Sequence, residues 1–176
     1  ALDPDSGVSA IDELVDQLIA VRRIVAQYRE VLCNVGTITG GGRTNVVPGS
    51  ASTDIGFRFV DPSTEEAVLA AVAELQPLRA AQLTVRVMSN RPAWQPSPAT
   101  DELLAKVIEA GRSVGQEVGG AAASGAADTN LTGWLGIPTL DGLGPVGKGA
   151  HAVHEQVLAA SLSERVILLA AIVTSL

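Results

Sequence analysis

The sequence is poor in the residues on which thiol, phosphate and nucleic-acid chemistry depend. Its single cysteine, Cys33, has no partner for an internal disulfide. In the run VLCNV it suits a small core position better than a nucleophile. A reducing, cytoplasmic setting is compatible with that one thiol. Twelve basic residues stand against nineteen acidic ones, a net charge of −7, and no Lys or Arg cluster forms a stripe that would track a phosphate backbone. Nucleic acid is therefore not an expected partner. The glycines at 40–42 lack a following Lys-Ser or Lys-Thr pair, and Gly142, Gly144, Gly147 and Gly149 lack dinucleotide spacing, which excludes the usual nucleotide loops. No leader pattern and no apolar run of membrane length is present, so a membrane partner is not expected either. The terminal stretch LSERVILLAAIVTSL reads instead as a helix buried on most of its circumference.

What the chain has in quantity is small and aliphatic. Apolar residues make up 47% of it and aromatics only 3%, more apolar surface than one short domain hides. That excess points to a partner surface or to further chain.

Residues 9–28 carry Ile11, Leu14, Val15, Leu18, Ile19 and Val25 at helical spacing, behind Ser9 as N-cap and Asp12 three residues on. A strand is expected at 31–38. In ASTDIGFRF, Ala51, Thr53, Ile55, Phe57 and Phe59 share one face, which turns Arg58 to the other. Ser63 and Glu66 form a capping box for a second helix, and Leu83, Val85 and Val87 alternate as a third strand. The order helix, strand, strand, helix, strand is that of a ferredoxin-like α+β unit lacking its opening strand. Residues 89–99, with three prolines, read as a linker. Beyond it come a helix over 100–115, a small-residue stretch at 119–130, a short helix to Trp134, a brief buried strand GIPTL, a glycine loop and the terminal helix. These resemble half of an α/β domain.

His151 follows a glycine loop after a buried strand, a place where open α/β sheets put ligands. From spacing alone it is either a metal ligand or an ordinary loop residue, since zinc needs three or four ligands and the chain has two histidines. His154 is a second candidate of the same kind. Glu155 either orients His151 or caps a turn. Arg58 offers a planar, bidentate donor for a substrate carboxylate, against the simpler reading of a surface ion pair with Asp54. Asp128 stands at a helix start, where the amides of 125–127 are placed to receive an anion or are merely part of the cap.

The segments GVSAI at 7–11, GGGRTNVVPGSA at 40–51, FRF at 57–59, SGAADTN at 124–130 and GIPTLDGLGPVGKGAHAVHEQV at 136–157 together resemble the carboxypeptidase G group. That group belongs to the di-zinc metallopeptidases and amidohydrolases that include acetylornithine deacetylase and succinyl-diaminopimelate desuccinylase. The resemblance implies that residues 1–94 are a lid and dimerisation domain and that 95–176 are the C-terminal segment of a zinc-peptidase-like α/β catalytic domain. It implies that His151 ligates one of two zincs, that Arg58 takes the free carboxylate of substrate and that Asn45 approaches the scissile carbonyl. Gly125, Ala126, Ala127 and Gly149 would line the carboxylate pocket through their backbone.

The same resemblance puts the remaining zinc ligands, the general base and the lid's first strand upstream of residue 1. Residue 127 is Ala where the family has Ser or Thr, and Gly56 stands where an acidic residue is common. The implied activity is zinc-dependent hydrolysis of an amide or peptide bond beside a free carboxylate, on a small acylated amino acid or peptide, by a homodimer joined through the lid. The competing expectation is a truncated or degenerate, non-catalytic binding or dimerisation module.

Overall fold

The computed structural model describes residues 7–123 and 125–176. It is a mixed α/β structure with small sheets, in the element order α1 (Ala10–Val25), β1 (Leu32–Gly40), β2 (Ala51–Arg58), α2 (Pro62–Ala73), α3 (Pro98–Ser113), α4 (Thr129–Trp134), β3 (Gly147–Lys148), β4 (Gln156–Val157) and α5 (Ala159–Ser175). Two compact units are present. One runs to Trp94 and takes in the short stretch to Ala126; the other holds Gln95–Ala123 and Ala127–Leu176.

In the first unit, α1 starts as its cap residue dictates: the Ser9 hydroxyl accepts the Asp12 amide at 3.2 Å. β1 and β2 form an antiparallel ladder running from Leu32↔Arg58 to Gly40↔Ala51, with one irregularity at Gly36. Before that bulge Cys33 faces Phe57 and Val35 faces Ile55. Cys33, Ile55 and Phe57 close over a core of Val21, Val31, Val68 and Val72. Burial pushes the Cys33 thiol above its ordinary pKa, so it is a packing residue and not a reactive thiolate.

α2 begins two residues earlier than its Ser63 and Glu66 pattern predicts. Asp61 is the N-cap, its carboxylate accepting the Thr64 amide at 2.8 Å and the Ser63 hydroxyl at 2.6 Å. Pro62 takes the first helical position, which needs no N–H. The expected strand at 83–87 is not formed among the described residues, where no ladder involves it. Val85 and Val87 are exposed.

The segment after α2 is tied to α1 by polar side chains. Glu13, 4% exposed, accepts the amides of Leu78 at 3.0 Å and Arg79 at 2.7 Å, while Asp16 pairs with the Arg79 guanidinium at 2.8 Å. The Gln17 amide, followed by the Leu78 amide, holds the Glu13 carboxyl below its ordinary value of 4.5. The Ser63 hydroxyl, followed by the Thr64 amide, lowers Asp61 to about 2. Both groups are depressed in the folded state, so their contribution is present above the ordinary carboxylate range and is lost as pH falls toward 2. Melting temperature is expected to decline over that window. Glu13→Gln is expected to lower it at pH 7 by about 5 °C, through two backbone amides left with a poorer acceptor, and to flatten part of the acid decline. Parallel melts from pH 7 to pH 2 check this; equal slopes for both proteins would remove Glu13 from the account.

In the second unit α3 and α5 pack through Val107, Ala110, Leu168 and Ile172. The expectation that the terminal helix is buried on most of its circumference is corrected. Leu162, Val166, Leu169, Val173 and Leu176 are all exposed, and at helical spacing they make one stripe beside the buried line of Ser161, Leu168 and Ile172. GIPTL also forms no strand among the described residues; Thr139 is buried there, but Ile137 is exposed.

Candidate functional site

The site residues fall into both units. In the first, Arg58 ends β2 and is exposed, as are Ser52, Asp54 and Gly56 on the same face. Phe57 and Phe59, ring centroids 5.9 Å apart, pack inward on either side and keep the arginine turned out. The simple ion pair with Asp54 does not form. The Asp54 carboxylate accepts the Thr37 hydroxyl at 2.7 Å, and Arg58 has no ion-pair or hydrogen-bond partner among the described residues. A guanidinium with all its donors open to solvent can bind a carboxylate without first breaking an internal contact.

Asn45 is exposed in the connection 41–50. That connection leaves the ladder at Gly40↔Ala51, whereas Arg58 pairs with Leu32 at the other end. The two residues are thus attached at opposite ends of one hairpin.

In the second unit His151 lies at the tip of a small hairpin, β3 paired antiparallel with β4 through Gly147↔Val157 and Lys148↔Gln156. Its base is fixed by Ser161, 1% exposed, whose hydroxyl accepts the Val146 amide at 3.0 Å and donates to the Leu158 carbonyl at 2.6 Å. His151 is exposed with φ +67°, the one non-glycine residue in the left-handed region among those described. Glu155 accepts the backbone amide of His151 at 3.3 Å, so its carboxylate closes the turn and does not grip the imidazole. Gly149 has φ +75°, and a Cβ there would stand 3.2 Å from the His154 ring. Gly149→Ala is expected to destabilise this hairpin by about 1–2 kcal/mol. Faster amide exchange at Leu158, whose N–H bonds the Val146 carbonyl at 2.9 Å, is the readout; unchanged exchange would mean the loop accommodates the side chain.

The amides proposed as an anion cradle are partly committed. Ala127 donates its N–H to Asn130 Oδ1 at 2.9 Å, while Gly125 and Ala126 are exposed. Ser124, at the start of the quoted segment, lies outside the described residues. Asp128 is the N-cap position of α4 but makes no side-chain cap. Sequence reasoning overlooked Asp141, which accepts the Thr129 hydroxyl at 3.0 Å and the Gly142 amide at 2.7 Å and so anchors the glycine loop to α4. The Asp-Gly pair was its only signal.

As a metal site the donor set is incomplete. Among the described residues no group of three or more His, Cys, Asp or Glu is placed to hold an ion. His151 is a single imidazole whose neighbouring carboxylate is spent on a backbone amide.

Comparison with known proteins finds similarity to peptidases and related hydrolases. Residues 1–78 match the model of the peptidase dimerisation domain, M20_dimer. Over 156 residues, 85% of this chain, it is 25% identical to carboxypeptidase G2 of Pseudomonas sp. strain RS-16, covering 37% of that protein. Over 125 residues, 70% of this chain, it is 29% identical to succinyl-diaminopimelate desuccinylase of Pseudomonas syringae pv. syringae, covering 32% of it. The fold aligns with the crystal structure of aminopeptidase PepT from Bacillus cereus over 98% of this chain and 46% of that one, at TM-score 0.65 and 22% identity. Over its first 78 residues the chain is thus similar to a peptidase dimerisation domain. It spans less than half the length of each of these proteins. No helix among the described residues is long and apolar enough to cross a membrane.

Proposed function

We propose that the chain is part of a hydrolase that cleaves an amide or peptide bond beside a free carboxylate, with residues 1–94 as lid and dimerisation domain and 95–176 as the C-terminal segment of the catalytic domain. The observation that carries this reading is Arg58: an exposed guanidinium without an internal partner, on a unit matched to a peptidase dimerisation domain. Its planar fork would bind the substrate carboxylate through two parallel hydrogen bonds. Asn45 would contact the scissile carbonyl oxygen, and the backbone at Gly125, Ala126, Ala127 and Gly149 is proposed to line a carboxylate pocket.

Zinc is the metal proposed for the whole enzyme, with His151 the ligand this chain contributes. Because the described residues do not build a metal site by themselves, the chain's part is confined to orienting substrate and presenting one imidazole. The unit is proposed to form a homodimer, and a reducing, cytoplasmic setting suits the unpaired Cys33.

The test is turnover by the protein in full of N-acyl amino acids and dipeptides, each beside its C-terminal methyl ester. Hydrolysis of the acids with at least about tenfold preference over the esters, abolished by chelation and restored by zinc, is expected. Absence of turnover together with a folded, metal-free dimer would favour the non-catalytic dimerisation module.

A further inference from the structure

The β1–β2 hairpin turns one polar face outward. β2 sets Asp54, Gly56 and Arg58 on it, all exposed, opposite Thr37, Asn34 and Leu32 of β1. Arg58 and Asp54 carry opposite charges but lie four residues apart on an extended strand, about 13 Å along it, too far for a direct ion pair. The interval between them is bare. Gly56 has no side chain, and a Cβ there would meet only the Asn34 carbonyl oxygen, 3.9 Å away. Gly36, at the bulge of β1, is bare as well, and Asn34 Nδ2 lies 3.8 Å from where its Cβ would stand.

The result is a glycine-floored notch with a cation at one end, an anion at the other and the Asn34 amide along its side. Each polar group has capacity to spare. Arg58 is unpaired, and the Asn34 side chain makes no hydrogen bond among the described residues. The Asp54 carboxylate is held in place by the Thr37 hydroxyl, which donates to Oδ2 at 2.7 Å, and this leaves Oδ1 open. A molecule that matches the notch has a carboxylate at one end and a cation at the other. With its carboxylate on Arg58, a residue extends its side chain over Gly56. A lysine-type side chain, an ammonium on a flexible four-carbon stem, continues from there toward Asp54 with its methylenes on the glycine floor. An acidic side chain in the same place would meet Asp54 as a like charge, which selects against it.

We propose that Asp54, with Gly56 and Asn34, forms a specificity site for a basic side chain on the residue whose free carboxylate Arg58 binds. The proposal rests on the hydrolase reading for the carboxylate role of Arg58, and adds the class of residue to which that carboxylate belongs.

The probes are Nα-acetyl-lysine and Nα-acetyl-norleucine, which has the same stem without the ammonium, each titrated into the protein in full while the backbone amide signals of Asn34, Asp54 and Arg58 are followed. The lysine compound is expected to bind about fivefold more tightly, the scale of an exposed ion pair, with the advantage shrinking as salt is raised. Asp54→Asn keeps an acceptor for the Thr37 hydroxyl and is expected to remove the advantage while leaving norleucine binding as it was. Glu74→Gln removes an exposed charge elsewhere in the same unit and is expected to leave the advantage intact, which separates Asp54 from general attraction to an acidic chain. Gly56→Val suits a strand but fills the notch, so at least about fivefold weaker binding of both probes is expected, at an unchanged melting temperature. Equal affinity for the two probes, an advantage that survives Asp54→Asn or is lost equally in Glu74→Gln, or binding undisturbed by Gly56→Val would each overturn the proposal. An advantage that depends on Asp54 while neither probe is hydrolysed would support the site and count against the hydrolase reading alone.

Discussion

His151→Gly in the full protein is expected to lower kcat/KM by more than about 100-fold while leaving the melting temperature unchanged or slightly raised. The left-handed conformation at φ +67° costs an L-residue about 1–2 kcal/mol, and glycine adopts it freely at an entropic cost of about 0.5–1 kcal/mol. The balance for stability is near zero or favourable. The turn itself survives, because Glu155 holds the backbone amide of residue 151 and not its side chain. A histidine kept where glycine would fit as well is not explained by folding, and strained positions of this kind gather at functional sites. For a metal-held imidazole the loss should exceed the roughly 10–100-fold seen when only a supporting partner is removed, and bound zinc should fall with it. A variant that keeps turnover but melts lower would make His151 a structural residue.

The fold was legible where local chemistry decides it. Ser9 caps α1 through the Asp12 amide, and period-two patterning placed Phe57 inside and Arg58 outside on β2. It was misread where long-range partners decide. Val85 alternates like a strand residue yet pairs with no strand among the described residues. Leu162, Val166 and Leu169 read as buried because hydropathy reports what a side chain would prefer, not whether anything covers it. At α2 two local signals competed, and the Asp61-Pro62 pair prevailed over Ser63 and Glu66 since a carboxylate is the stronger acceptor and proline fits the first turn.

The candidate site was legible as a set of residue types more than as a geometry. The backbone outlier at His151 is invisible in composition, although the glycines before it hinted at a tight turn. β3 and β4, two residues each, are shorter than any periodicity that could reveal them. Glu155 had two readings, and only the position of its carboxylate separates them: it serves the main chain. The Ala127 amide, expected to serve either an anion or the cap, donates to Asn130 Oδ1.

Arg58 carries the sharpest statement about substrate. Arg58→Ala is expected to lower kcat/KM for substrates with a free carboxylate by about 100-fold, or about 2.7 kcal/mol, within the range for truncating one member of a hydrogen-bonded charge pair. Arg58→Lys retains the charge but not the planar fork, so a loss of about tenfold is expected. The methyl esters should be cleaved equally by all three proteins, because the donors lost have no carboxylate to meet. The melting temperature should stay constant, since Arg58 is exposed and makes no ion pair whose loss would register. Activity on acids and esters separates the possible roles. A loss confined to acids assigns Arg58 to carboxylate recognition, whereas an equal loss on both would place it in the chemical step or in closure of the lid and would remove the acid selectivity proposed for this protein.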